Sequence, residues 1–271
     1  VEENKVLDLD NEKKRYIEEN TKYMHEDKKP AWEEEKKDNG TDQKYYDEQY
    51  FATASKEIVD KNTGEKKVWG YQGTDWSGHF FIVKGILETF NAEFGSILDI
   101  GAGQASFTDY ALRAGLKAKA YDFSEWAVAR PHNFAQGHLF LGDATNITEE
   151  DNSWDVVYCS DLLEHLPKSK VHLAIKEFYR VSRKWVFLQF PVSGMNPNVD
   201  DSFDWEIHDK AHKFYAHYMI ARHLNMSFRK WWDELFTSIG FKIREDLVKK
   251  FRENTPSAVL DNWFNIVILE K

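Results

Sequence analysis

A single cysteine stands among the 271 residues, which excludes an intramolecular disulfide framework and a Cys-rich zinc site. No apolar run approaches the roughly 20 residues needed to cross a bilayer. The opening residues, VEENKVLDLD, hold no apolar stretch suited to a signal peptide. Positive charge is also in deficit, with 36 Lys+Arg against 46 Asp+Glu and a net charge of −10. This argues against a broad phosphate-binding face and leaves room only for a small basic groove. No repeat period runs through the chain. Aromatic residues, by contrast, are plentiful: 10 Trp, 12 Tyr and 19 Phe, which excludes a chain disordered throughout. The expectation is an acidic, cytoplasmic globular protein, at this length one domain of about 200 residues with an appendage.

Residues 1–50 carry 26 charged residues and a net −6. One helix-like block, Glu12 to Met24, is followed by AWEEEKKDNG, which ends in a turn signal. Residues 1–75 are read as an acidic N-terminal extension, solvated and partly docked, with a substrate-covering arm or a partner-binding tail as the functional alternative. From about residue 75 helix and strand patterns alternate. Val83, Ile86, Leu87 and Phe90 fall at helical spacing. Ser96–Ile100, Lys117–Tyr121, Trp154–Cys159 and Trp185–Phe190 read as strands. A helix from about Ser169 carries Val171, Ala174, Ile175, Phe178 and Val181 on one face. Such alternation predicts an α/β fold, a doubly wound and mostly parallel sheet covered on both sides.

Toward the C-terminus, Ser227 is placed to cap a helix with Phe228, Trp231, Trp232, Leu235, Phe236 and Ile239 in one stripe, ended by Gly240. Two strand-like segments follow, Phe241–Leu247 and Trp263–Leu269, with no convincing helix between them. They are expected to pair antiparallel, giving seven strands with one antiparallel strand near the end.

The sharpest local signal is ILDIGAGQASF, Ile97 to Phe107. Gly101 and Gly103 permit a tight turn between strand and helix and a close approach of ligand to backbone. Alone the turn is weak, and a dinucleotide-binding oxidoreductase shares it. Its surroundings sharpen it. Asp99 precedes the glycines, Asp122 ends the next strand, and Asp143 follows the third. Strand ends on one rim of a parallel sheet converge on one crevice. Three carboxylates there, with no Lys or Arg in those loops, suit a cationic ligand and repel a pyrophosphate. S-adenosylmethionine, with its sulfonium and amino group, fits better than a nicotinamide cofactor.

At these residues the chain resembles the class I S-adenosylmethionine-dependent methyltransferases, most closely the ubiquinone-type and small-molecule or sugar branch. ILDIGAGQAS, YDFSEWAVA, LGDAT and WDVVYCSDLLEHLP match the first four motifs in order, and EFYRVSRKWVFLQFP the fifth strand with its preceding helix. The likeness covers about 78–191, with HLNMSFRKWWDELFTSIGF similar to the penultimate helix and the entry to its strand. It implies a Rossmann-like domain over 76–271, with 191–227 as an acceptor-site insertion. It further implies that Gly101, Ala102 and Gly103 line the methionine part, with Asp99 near its amino group. By the same likeness Asp122 holds the ribose, Phe123 packs on the adenine, Asp143 and Ala144 meet its edge, and Ser160 and Asp161 sit beside the sulfonium. Ala105 stands where many members have a third glycine.

Methyl transfer from a sulfonium is an in-line displacement, so the protein's main task is alignment, with removal of a proton where the acceptor is a hydroxyl. Candidate bases are Glu164, His165 and His223. SDLLEHLP is not the element used for amino methylation of DNA bases, and Cys159, within a strand, reads as an inert buried thiol. The 191–227 segment is rich in Asp, His, Tyr and Trp, which suits a small polar acceptor or a glycan. His208 and His212 lie four apart but lack the zincin glutamate, so no metal is expected. Basic residues at 222, 229, 230, 249, 250 and 252 are the one support for an RNA or tRNA substrate and read better as a solvated face. A catalytically silent S-adenosylmethionine-binding scaffold is the remaining alternative.

Overall fold

The computed structural model describes Gln43, Tyr46, Phe51, strands at 56–59 and 66–69, and the stretches 77–91, 94–190, 229–255 and 265–271. The helix-like block at 12–24, the 191–227 segment with its histidines, and Ser227 and Phe228 lie outside the described residues. In the extension, β1 (Lys56–Val59) and β2 (Lys66–Trp69) pair antiparallel as a separate two-stranded ribbon, an element the sequence reading missed.

The main unit runs α1 (Ser77–Thr89), β3 (Ser96–Ile100), α2 (Ser106–Arg113), β4 (Lys117–Asp122), α3 (Glu125–Val128), β5 (Leu139–Leu141), β6 (Trp154–Ser160), α4 (Lys168–Val181), β7 (Ser182–Phe190), α5 (Arg229–Ile239), β8 (Lys242–Ile243), α6 (Glu245–Asn254) and β9 (Asn265–Glu270). Seven strands form one sheet in the order β5-β4-β3-β6-β7-β9-β8. β3 through β7 are parallel to one another, and β9 lies antiparallel between β7 and β8. The doubly wound, mostly parallel sheet with one antiparallel strand is as expected.

The central strands β3, β6, β7 and β9 are apolar on both faces because helices cover both. Leu98, Ile100, Val157, Cys159, Val186 and Leu188 point into one core with α4 and α5. Ile97, Val156, Tyr158, Phe187, Ile266 and Ile268 point into the other, with α1, α2 and α6. This is the period-two alternation of a strand. In α4 the buried positions are Val171, Ala174, Ile175, Phe178 and Val181, the stripe read from the sequence. Cys159 is buried and unpaired as a thiol, as expected.

The C-terminal reading needs one correction. A helix, α6, lies between the last two strands, and β8 is only two residues long. Leu247, Val248 and Phe251 form its inner face, Glu245 and Asp246 occupy its first turn and Arg252 its last, an arrangement that favours the helix dipole. On the opposite helix, Gly85 faces this element so closely that a Cβ there would lie 2.2 Å from Thr255 Oγ1.

Candidate functional site

Parallel registers bring the carboxyl ends of β3, β4, β5 and β6 to one rim. Ile100 is level with Tyr121 and with Cys159, and Asp122 is level with Leu141. The strand order reverses between β3 and β6, where α/β sheets open a crevice. A cavity lies there, lined by the glycine turn, Asp122, Phe123, Gly142, Asp143, Ala144, Thr145, Asp161, Leu162 and His165.

The turn is built by backbone bonds. The N–H groups of Gly101 and Ala102 both donate to Tyr121 O, at 2.9 and 3.2 Å. Gly101 has φ +78°, and a Cβ there would meet Leu162 at 3.0 Å, so a side chain would fill the space between the two loops. Ala105 closes the turn at φ 61°, ψ 40°, in the left-handed region and fully buried. This explains physically why a glycine is common at that place in proteins with the resembling motif: the alanine there carries about 1–2 kcal/mol of backbone strain.

Asp122 is anchored by backbone alone. Its Oδ2 accepts from Gly103 N at 2.6 Å and its Oδ1 from Ser124 N at 2.8 Å. Burial raises its pKa to about 6 against the opposing pull of those N–H donors. Each carboxylate oxygen keeps a lone pair for a ligand hydroxyl. Asp143 is held as a turn carboxylate, its Oδ1 accepting from the N–H and hydroxyl of Thr145 at 2.8 and 2.7 Å.

Three expected cofactor residues, Asp99, Ala102 and Ser160, are not among the residues lining the cavity. Asp99 is 3% exposed and accepts a hydrogen bond from Thr108 Oγ1 at 2.8 Å. Strand alternation puts it on the Ile97 face, under α2, rather than toward the rim. Burial raises its pKa to about 7. Ser160 Oγ donates to Asp161 Oδ2 at 3.2 Å. Glu164 also lies outside the cavity lining, at 0% exposure. His165 does line the cavity, and His223 lies outside the described residues.

The sequence reading missed two walls. Tyr46 and Phe51, from the extension, line the cavity. Ser124 Oγ donates to Tyr46 O while accepting from Ala127 N at 3.1 Å as the cap of α3. Phe51, 3% exposed, stacks on Trp126 with ring centroids 4.8 Å apart. Tyr46 and Phe51 are therefore held against the domain beside the cavity. Lys170, in the first turn of α4, also reaches the cavity, so the rim is free of cations only in the loops after β3, β4 and β5.

Residues 98–188 match the family model described as a methyltransferase domain. These residues carry a methyltransferase domain. S-adenosylmethionine is its cofactor, and the crevice fits a cation of that kind: carboxylates at 122, 143 and 161 face it, over glycines that leave the backbone bare. Two solved structures share the methyltransferase fold. The magnesium protoporphyrin IX methyltransferase of Synechocystis PCC 6803, crystallised with bound SAH, is 15% identical at a TM-score of 0.50, covering 72% of this chain and 84% of its own. A structure from Galdieria sulphuraria, provisionally named a sarcosine dimethylglycine methyltransferase, is 14% identical at 0.50, covering 79% of this chain and 90% of its own. No curated protein matches the chain.

The basic residues after position 228 of this methyltransferase are mostly paired. Arg229 bonds Asp233 and Glu245, both at 2.6 Å, and Lys250 Nζ donates to Thr89 O and Asn91 Oδ1, both at 2.8 Å. Lys230 and Lys249 face Glu234 and Glu253 one helical turn on. Among the described residues no three His, Cys, Asp or Glu side chains converge as a metal site, and no helix is long and apolar enough to cross a membrane.

Proposed function

We propose that this methyltransferase transfers the methyl group to a small-molecule or glycan acceptor, at an oxygen atom, from a cofactor seated in the crevice above β3, β4 and β6. The observation that carries the cofactor placement is the convergence of Asp122, Asp143 and Asp161 on one cavity beside the glycine turn. Asp122 accepts the ribose hydroxyls, Phe123 packs on the adenine, and Asp143 with the Ala144 backbone meets its edge. Gly101 and Gly103 border the methionine part, and Asp161 stands beside the sulfonium. When bound, the cofactor supplies an electrophilic methyl on a positively charged sulfur.

The protein's own contribution is alignment and exclusion of water. Tyr46 and Phe51 wall the cavity, so these two residues of the extension belong to the working site. His165, on the cavity wall, is the base nearest the rim for an acceptor hydroxyl, with His223 of the 191–227 acceptor segment as the other candidate. A small acceptor is consistent with a cavity closed on this side by aromatic residues. The two solved structures named above carry names that refer to a porphyrin and to sarcosine. Carboxylate partners of Arg229, Lys230 and Lys249 reduce the net positive charge this face offers to an RNA backbone.

Calorimetry with S-adenosylmethionine, S-adenosylhomocysteine and NAD tests the cofactor site, and preferential NAD binding would refute it. Asp122→Ala is expected to weaken S-adenosylmethionine by about 1–3 kcal/mol, the scale of losing hydrogen bonds to a charged group; an unchanged Kd removes the ribose assignment. Phe51→Ala is expected to weaken it roughly 2- to 10-fold, the scale of one aromatic contact. If the extension plays no part in binding, that variant will match the parent. A labelled-methyl screen against sugar nucleotides, small metabolites and bulk RNA then identifies the acceptor, with strong RNA labelling overturning the small-molecule reading.

A further inference from the structure

Glu164 lies in a 3-10 turn, Leu163–His165, directly behind the cavity wall. Its side chain is 0% exposed, and among the described residues neither carboxyl oxygen meets a hydrogen-bond donor. The nearest basic atom, His165 Nε2, stands 3.9 Å from Oε1, too far for a hydrogen bond. An ionised carboxylate in such a place would be a buried charge with no donor at hydrogen-bonding distance, and with a counter-ion only while the His165 ring is protonated. Its neighbour three residues back is another carboxylate. Asp161, with φ 52°, lines the cavity. The Asp161 charge and a side-chain hydrogen bond between the two carboxyls both favour the protonated form of Glu164, so the two titrate together. The pair therefore carries one proton, held on the buried partner. Burial first and Asp161 second keep Glu164 protonated well above the usual carboxylate range.

Tyr158 and Cys159 on β6 feel the charge of this pair, and other titratable groups lie around the cavity. Cys159, on β6, is a buried thiol whose pKa is pushed up. Asp99 on β3 and Asp122 on β4 have raised pKa values of about 7 and about 6. Asp143, His165 and Lys170 complete the charged or ionisable lining of the cavity.

We propose that Asp161 and Glu164 form a carboxyl pair that senses the charge of the cofactor, keeping its shared proton beside a neutral ligand and releasing it when a sulfonium enters. This rests on the placement of the sulfonium beside Asp161 given above. The balance is simple. The free pair bears one negative charge; the proton leaves to solvent and the pair then bears two, against the positive sulfur. The thioether of the spent cofactor is neutral and provides no such compensation. Fresh cofactor is thus favoured over spent cofactor by the state of a proton the ligand never touches.

The test is calorimetry on the full chain at pH 7, with S-adenosylmethionine and S-adenosylhomocysteine each titrated in two buffers of different ionisation enthalpy. S-adenosylmethionine is expected to release up to about one proton more than S-adenosylhomocysteine, and its affinity to rise with pH by up to about tenfold per pH unit relative to the thioether. Glu164→Gln cannot release a proton and abolishes the difference, whereas Asp99→Asn preserves it. Infrared difference spectra of the unmodified protein give a second readout. A protonated-carboxyl band is expected to disappear on adding S-adenosylmethionine and to persist with S-adenosylhomocysteine. Equal proton release and an unchanged band with both ligands, or a difference that survives Glu164→Gln or vanishes in Asp99→Asn, overturns the proposal while leaving the cofactor site intact. Binding of neither ligand overturns both.

Discussion

Trp232→Ala is expected to lower the stability of the domain by about 3–5 kcal/mol, the range for deleting a large aromatic side chain from a core. Trp232 is fully buried on α5 and is among the largest enclosed side chains. Its ring packs on Phe190, at the end of β7, with centroids 4.5 Å apart, and on Phe236, one turn along α5, at 6.0 Å. Truncation leaves a void that these rings cannot fill without leaving their own positions. The corresponding fall in Tm is roughly 10 °C for a domain of this size. Trp232→Phe should be much milder. Among the described residues the indole N–H has no acceptor, so phenylalanine removes an unsatisfied donor along with some volume. Thermal unfolding of both variants checks this. Equal destabilisation by Ala and Phe would mean that the N–H, and not the ring volume, matters at this position.

The second large effect is a pH dependence set by Asp99. Its carboxyl titrates near 3.8 when the chain is unfolded and near about 7 when buried under α2. Below pH 4 both states hold the proton. Between these values the folded state binds more protons than the unfolded one, so stability falls as pH rises. The gap corresponds to about 4 kcal/mol, fully present below pH 4 and lost by pH 7. Asp99→Asn keeps an acceptor for the Thr108 hydroxyl without a charge to bury. Relative to the parent it should therefore gain stability between pH 5 and pH 8, by up to about 3 kcal/mol. Glu149, Asp155 and Glu177 have lowered pKa values, through Lys119, Arg183 and Arg180 among others, and they pull the total curve the opposite way in acid. The comparison with Asp99→Asn cancels them. Denaturant midpoints at the two pH values give the answer, and a difference independent of pH would sink the assignment.

The parallel half of the fold was legible because β3, β6 and β7 are short apolar runs and α4 repeats its buried residues at helical spacing. The misreading at the C-terminus has a specific cause. Phe241 and Ile243 alternate as in a strand, and Leu247 extends that alternation by accident, although with Val248 and Phe251 it belongs to a helical stripe. The site divides in the same way. Gly101, Gly103, Asp122 and Asp143, which line one cavity, could be picked from the sequence because turn and strand-end chemistry is local. The parity of β3 sets Asp99 on the face opposite Leu98 and Ile100, where it meets Thr108. Tyr46 and Phe51 carry no such mark, since what makes them part of the site is contact with Ser124 and Trp126, more than seventy residues away along the chain. Glu164 could be listed as a candidate base, but its complete enclosure depends on how the turn after β6 folds back over the core.

Ala105 has a consequence for the timing of binding. A glycine in its place would relax the strain and also admit several further backbone states to the loop, all but one of them unable to receive a ligand. The methyl group removes those alternatives before any ligand arrives. The loop's entropy is thus surrendered during folding rather than on cofactor entry, and the glycine turn meets its ligand already in the receiving shape.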